Sequence, residues 1–124
     1  MSEAKDSKQP TPRFFEGLES DYANNVAFES TVWDLKLIFG EYWDNDKSVQ
    51  WHTSMTIPWA QAKLLSHYLR VNVEGYEAEN GPIRVPSKMI PQEPPPPASN
   101  AAELDKKIYE IFKRRHREFV ESLP

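Results

Sequence analysis

From Thr31 to Phe39 apolar and polar positions alternate. Trp33, Leu35, Leu37 and Phe39 fall on one side, and Val32, Asp34, Lys36 and Ile38 on the other. A period of two is the mark of a strand with one core face. A weaker version runs from about Ala23 to Glu29, where Val26 and Phe28 alternate with Asn25 and Ala27. Glu29, Ser30 and Thr31 then allow a tight reversal without a Gly or an Asn-Gly pair. A third run, Val49 to Ile57, groups Val49, Trp51, Thr53, Met55 and Ile57, leaving Ser48, Gln50, His52, Ser54 and Thr56 on a polar side. Between the second and third runs, Glu41 to Lys47 reads as a polar loop around Tyr42 and Trp43. Strands with one apolar face in immediate succession predict an antiparallel meander whose apolar face needs a cover.

The period changes after Thr56, which reads as a helix cap with Pro58 in the first turn. Ala62, Leu65, Leu69 and Val73, widened by Leu64, Tyr68 and Val71, predict a helix through Val73 or Tyr76, closed by Asn80-Gly81. Ile83 and Val85 suit a short extended return. The stretch PSKMIPQEPPPPAS (86–99) favours polyproline II and excludes helix or central strand. A second helix is expected from Asn100, with Glu103 completing a capping box and Leu104, Ile108, Ile111 or Phe112, and Phe119 forming its stripe. The expected fold is therefore α+β: a three-stranded antiparallel meander packed by one helix, followed by a proline-rich linker and a C-terminal helix. The expected divisions are a disordered tail (1–13), a sheet-and-helix domain (14–85), the linker (86–99) and an interaction helix (100–124).

At 124 residues the chain has room for one modest core. A net charge of -4 with 27% charged residues selects neither nucleic acid nor an acidic ligand. With no cysteine there is no disulfide framework, thiolate zinc site or cysteine nucleophile. No apolar run nears the roughly 18–20 residues of a membrane helix, and the first dozen residues lack a signal-peptide hydrophobic stretch. The expectation is a cytoplasmic protein with no membrane association and no cofactor.

The chemistry-bearing residues favour structural explanations. Lys113, Arg114, Arg115, His116 and Arg117 form the one concentrated basic run and are the candidate nucleic-acid contacts. Glu103, Asp105 and Glu110 precede them, however, so the same order suits the helix dipole. His52, His67 and His116 have no metal-ligand spacing. Asp34 and His52, on neighbouring strands, are the one candidate acid-base pair, and both fall on polar faces. No GxSxG, GxGxxG or GxxxxGK motif occurs. Phe14 and Phe15 suit a small apolar anchor, and the PxxP spacing around Pro91 to Pro97 suits a spacer better than a ligand for an aromatic groove.

One ordered set of residues carries a family resemblance. Tyr22 and Asn24; Asp34 with Leu35, Leu37 and Phe39; Met55, Pro58, Ala60 or Ala62, Leu65 and Leu69; and Tyr76, Glu77 and Gly81 occur in that sequence. In this, residues 19–85 resemble a widespread family of short uncharacterised prokaryotic proteins. The resemblance implies a compact strand-strand-strand-helix module and no assigned reaction. The element order is also similar to that of small sheet-and-helix chaperone subunits.

The expected function is a noncatalytic protein-interaction or assembly module that self-associates as a homodimer or larger homo-oligomer, or binds another protein. Its interface candidates are Trp33, Leu35, Leu37, Ile38, Leu104, Ile108, Ile111, Phe112 and Phe119. A nucleic-acid-associated regulator using the basic helix is the first alternative. A small enzyme using Asp34 and His52 is the second.

Overall fold

The computed structural model describes residues 15–43 and 47–124; the expected polar tail, Phe14 and residues 44–46 of the loop lie outside the described residues. Three strands, β1 (Asn25–Ser30), β2 (Asp34–Trp43) and β3 (Ser48–Pro58), form one antiparallel sheet in the order β1-β2-β3. A helix, α1 (Trp59–Asn80), follows β3 without an intervening residue, and a second, α2 (Glu103–Ser122), ends the chain. The α+β fold expected from the sequence is present. The chain divides into two compact units, Met1–Leu65 and Ser66–Pro124, with α1 beginning in the first and ending in the second.

A threonine closes the first hairpin in place of the usual glycine or asparagine. The Thr31 hydroxyl oxygen accepts from the backbone N–H groups of Trp33 and Asp34 at 3.1 and 3.0 Å, and the hydroxyl lies 3.0 Å from the Asp34 carboxylate. The Thr31 backbone N–H also donates to the Asp34 carbonyl at 2.9 Å. Side-chain oxygens that satisfy nearby N–H groups stabilise such turns. As a result Val32 and Trp33 leave the strand alternation and sit at the turn tip, 86% and 84% exposed. This corrects the placement of Trp33 on the core face of a strand. Thr31→Val is expected to lower stability by about 1 kcal/mol, since exposed N–H groups regain water; urea melts showing no change would mean the turn holds without the hydroxyl.

At its other end β2 runs on to Trp43, so Tyr42 and Trp43 are strand residues and not part of a loop. The β2–β3 register runs from Asp34↔Pro58 to Phe39↔Thr53, then slips to Gly40↔Trp51. His52 is the extra residue, and a bulge of this kind reverses the inside-outside order of the bulged strand. Thr53, Met55 and Ile57 therefore share one face with Leu35, Leu37 and Phe39, whereas Trp51 and Val49 move to the opposite face. The expected five-residue apolar side of the third strand is thus divided between the two faces.

Thr56 does not cap α1. It stays extended opposite Lys36, and the proline two residues later restricts Ile57 to extended backbone. Trp59 begins the helix, and its indole N–H donates to the Thr31 carbonyl at 2.9 Å, tying the first turn of α1 to the hairpin. At the far end Gly81 has φ +90° and donates its N–H to the Glu77 carbonyl at 2.9 Å, a left-handed helix stop that glycine adopts without penalty. The helix thus passes through Gly75 and both valines, one turn beyond the expected end. No regular strand forms at Ile83 and Val85; Ser87–Met89 is a single 3-10 turn.

The expected capping box at Asn100 is also absent. Ala102 is the N-cap with no side-chain hydrogen bond, Asn100 lies in a turn, and Glu103 is already helical and 3.6 Å from Lys106.

Candidate interaction surface

The register sets out two faces of the sheet. One carries Val26 and Phe28 from β1, Leu35, Leu37 and Phe39 from β2, and Met55 and Ile57 from β3. Leu37 stands at its centre, with Phe28 opposite it on one side and Met55 on the other. Leu37 is 9% exposed and is the one buried hydrophobic side chain among the described residues. Its two neighbours remain 58% and 60% exposed. Of the sheet residues proposed as interface candidates, Leu35 is half-buried beside Leu37, Trp33 lies at the turn tip, and Ile38 points to the other face.

That second face changes character along its length. Near the first hairpin it carries Glu29 directly opposite Lys36, with 3.6 Å between their charged atoms, and Thr56. It then carries Ile38 just before the bulge and Gly40, Trp51, Val49 and Tyr42 past it. The Trp51 ring and the Val49 methyl groups close over Gly40, where an added β-carbon would meet them at 2.8 and 2.9 Å. Strand alternation suggested a polar face interrupted by Ile38; the bulge supplies Ile38 with apolar company.

The chain preceding β1 reaches the same bulge. Asn24 accepts the Tyr42 N–H at 2.8 Å through its side-chain oxygen, and its own N–H donates to the Gly40 carbonyl at 3.0 Å. Two residues earlier the Tyr22 carbonyl accepts from the His52 Nε2–H at 3.0 Å, and the Asp21 carboxylate accepts from the Thr53 hydroxyl at 3.2 Å. Residues 21–24 therefore span from the β1 edge to the β3 edge and clasp the irregular end of the sheet. His52 is engaged in this clasp, its Nδ1 lying 2.7 Å from Thr53 Oγ1. Asp34 pairs with Pro58 six residues along β3 from His52, about 20 Å at the strand rise. The candidate acid-base pair does not form.

Neither helix buries a residue. On α1, Leu64, Tyr68, Leu69, Val71, Val73 and Tyr76 are exposed, while Ala62 and Leu65 are half-buried. On α2, Leu104, Ile108, Ile111, Phe112 and Phe119 are exposed. Much of the basic run on α2 has partners nearby: Lys113 Nζ sits 5.8 Å from the centre of the Tyr109 ring, Arg115 pairs with Glu118 at 3.3 Å, and His116 Nε2–H donates to the Pro91 carbonyl at 2.8 Å. Arg117 shares a shallow cleft with Glu93 and Glu121. Among the described residues no three His, Asp or Glu side chains converge as a metal site would require, and no helix is long and apolar enough to cross a membrane.

Compared with known proteins, the chain matches no family model, no curated protein and no solved structure. The functional reading therefore rests on the distribution of apolar surface.

Proposed function

We propose that the chain is a noncatalytic assembly module that completes its hydrophobic core by self-association. The observation that carries this reading is the burial of Leu37 alone among the hydrophobic side chains of the described residues. A chain of this length offsets the conformational entropy lost on folding chiefly by removing apolar surface from water. A single fully buried side chain, flanked by half-buried ones, leaves most of the large apolar side chains facing solvent.

The missing burial is available on the chain's surface. Phe28, Trp33, Tyr42, Trp43, Trp51, Trp59, Tyr68 and Tyr76 are each 39% or more exposed. They are distributed over both faces of the sheet, the tip of the first hairpin and α1, so large apolar side chains remain open to a partner in each part of the chain. A second copy is the partner present at equal concentration whenever the chain is made, and two-fold pairing lets one apolar patch cover itself.

Light scattering on the full-length chain at micromolar concentration is expected to give a mass of at least twice 14.4 kDa. Phe28→Asp, which places a charge beside Leu37 on the exposed face, is expected to reduce that mass or abolish folding. A monomer with full native circular dichroism would refute the proposal.

A further inference from the structure

We propose that, within this assembly, two copies pair their α2 helices antiparallel, apolar stripe to apolar stripe, about a two-fold axis passing between Ile111 and Phe112. The proposal rests on the self-association reading and assigns one contact within it.

The packing inside the Ser66–Pro124 unit shows which side of α2 is already in use. Its half-covered residues are Lys106, Tyr109, Lys113 and His116, spaced by three, four and three, which is a single helical face. His116 on this face holds the Pro91 carbonyl, and Glu93 lines a cleft with Lys113, His116 and Val120. Pro94 and Pro97 are half-buried at the three-residue repeat of a polyproline II helix. Residues 91–93 at the head of the proline-rich segment thus lie along the polar and aromatic side of α2. At about 100° per residue, Leu104, Ile108, Ile111, Phe112 and Phe119 form a separate stripe centred roughly 130° from that face. The chain's own proline segment does not use this stripe, and a 20-residue helix gains little stability without burying it.

Charge selects both the occupant and its direction. Arg115 falls in the middle of the stripe, with Glu118 as its ion-pair partner one turn on. Parallel in-register pairing would set Arg115 against its own copy and align the two Lys113 to Arg117 runs. Residues 103–111 carry Glu103, Asp105 and Glu110 against Lys106 and Lys107, a net of -1; residues 112–120 carry Lys113, Arg114, Arg115 and Arg117 against Glu118, a net of +3. Antiparallel pairing lays the acidic half of one helix along the basic half of the other and opposes the two helix dipoles. In that register Leu104 faces Phe119, Ile108 faces Arg115 and Ile111 faces Phe112. Aliphatic side chains meet aromatic ones, and the Arg115 stem covers Ile108 while its charged end reaches solvent.

The absence of native cysteine makes the test direct. Full-length Leu104→Cys and Phe119→Cys proteins, each confirmed by mass to self-associate, are treated with a short bis-maleimide separately and as a refolded equimolar mixture. Antiparallel pairing predicts cross-linked dimers in the mixture and little in either protein alone, because the two Leu104 positions lie about 22 Å apart along the helices. Cross-linking of each variant with itself would establish parallel pairing and overturn the proposal. An oligomer that cross-links in none of the three samples would also overturn it, leaving the stripe to another protein or another surface while self-association stands. A monomeric wild-type chain would remove both readings together.

Discussion

Gly40→Ala is expected to cost about 3 kcal/mol, near the top of the usual range for overpacking. An added β-carbon there would stand 2.7 Å from the Gln50 carbonyl oxygen, 2.8 Å from the Trp51 ring and 2.9 Å from a Val49 methyl. The first of these is backbone held in the β2–β3 ladder, so it has little freedom to withdraw. Relief would require opening the bulge at His52, and with it the clasp that His52 and Thr53 make with Tyr22 and Asp21. The same substitution at Gly75 provides a contrast. No atom lies within 4 Å of a β-carbon built there, and alanine in a helix is favoured over glycine by about 1 kcal/mol. Urea unfolding should therefore move to lower midpoint for Gly40→Ala and to equal or higher midpoint for Gly75→Ala. An unchanged midpoint for Gly40→Ala would mean that the close packing over the bulge does not contribute to stability.

Diluting the protein is expected to unfold it. If the apolar faces are covered by a second copy, folding and association are one equilibrium, and each tenfold rise in concentration adds about 1.4 kcal/mol to the stability of a dimer. For a chain of this size that corresponds to a rise of a few degrees in melting midpoint. Scanning calorimetry or circular dichroism over a hundredfold range of concentration reads the effect. A midpoint that stays fixed across that range would show that one chain is stable alone, and that the surface aromatic residues are not a core in waiting.

The correspondence between sequence and structure depends on how local each signal is. The alternation from Leu35 to Phe39 identifies the central strand because each of those residues is paired on both sides, leaving no freedom in which face each presents. Gly81 marks the end of α1 because a left-handed helix stop is a property of one residue and its immediate hydrogen bond. The Asn100 to Glu103 spacing points to a cap that does not form, since the chain turns between Ala98 and Ala101 and enters the helix only after Ala102. Alternation places Trp33 on a strand face, but the Thr31 hydroxyl captures the N–H groups of Trp33 and Asp34, so the turn falls at residues 31–33 and β2 begins only at Asp34.

The sequence by itself determines the three strands, the two helices and the apolar side of the central strand and of the helices, because periods of two and of 3.6 arise within a few neighbouring residues. Only the tertiary structure decides how those sides are combined. The slip from Phe39↔Thr53 to Gly40↔Trp51 carries Trp51 and Val49 to the face of Ile38, and Pro91 sits against His116 so that the apolar stripe of α2 is left outward. Each depends on residues eleven or more positions apart whose pairing energies compete across the fold, a competition that periodicity along a single segment does not encode.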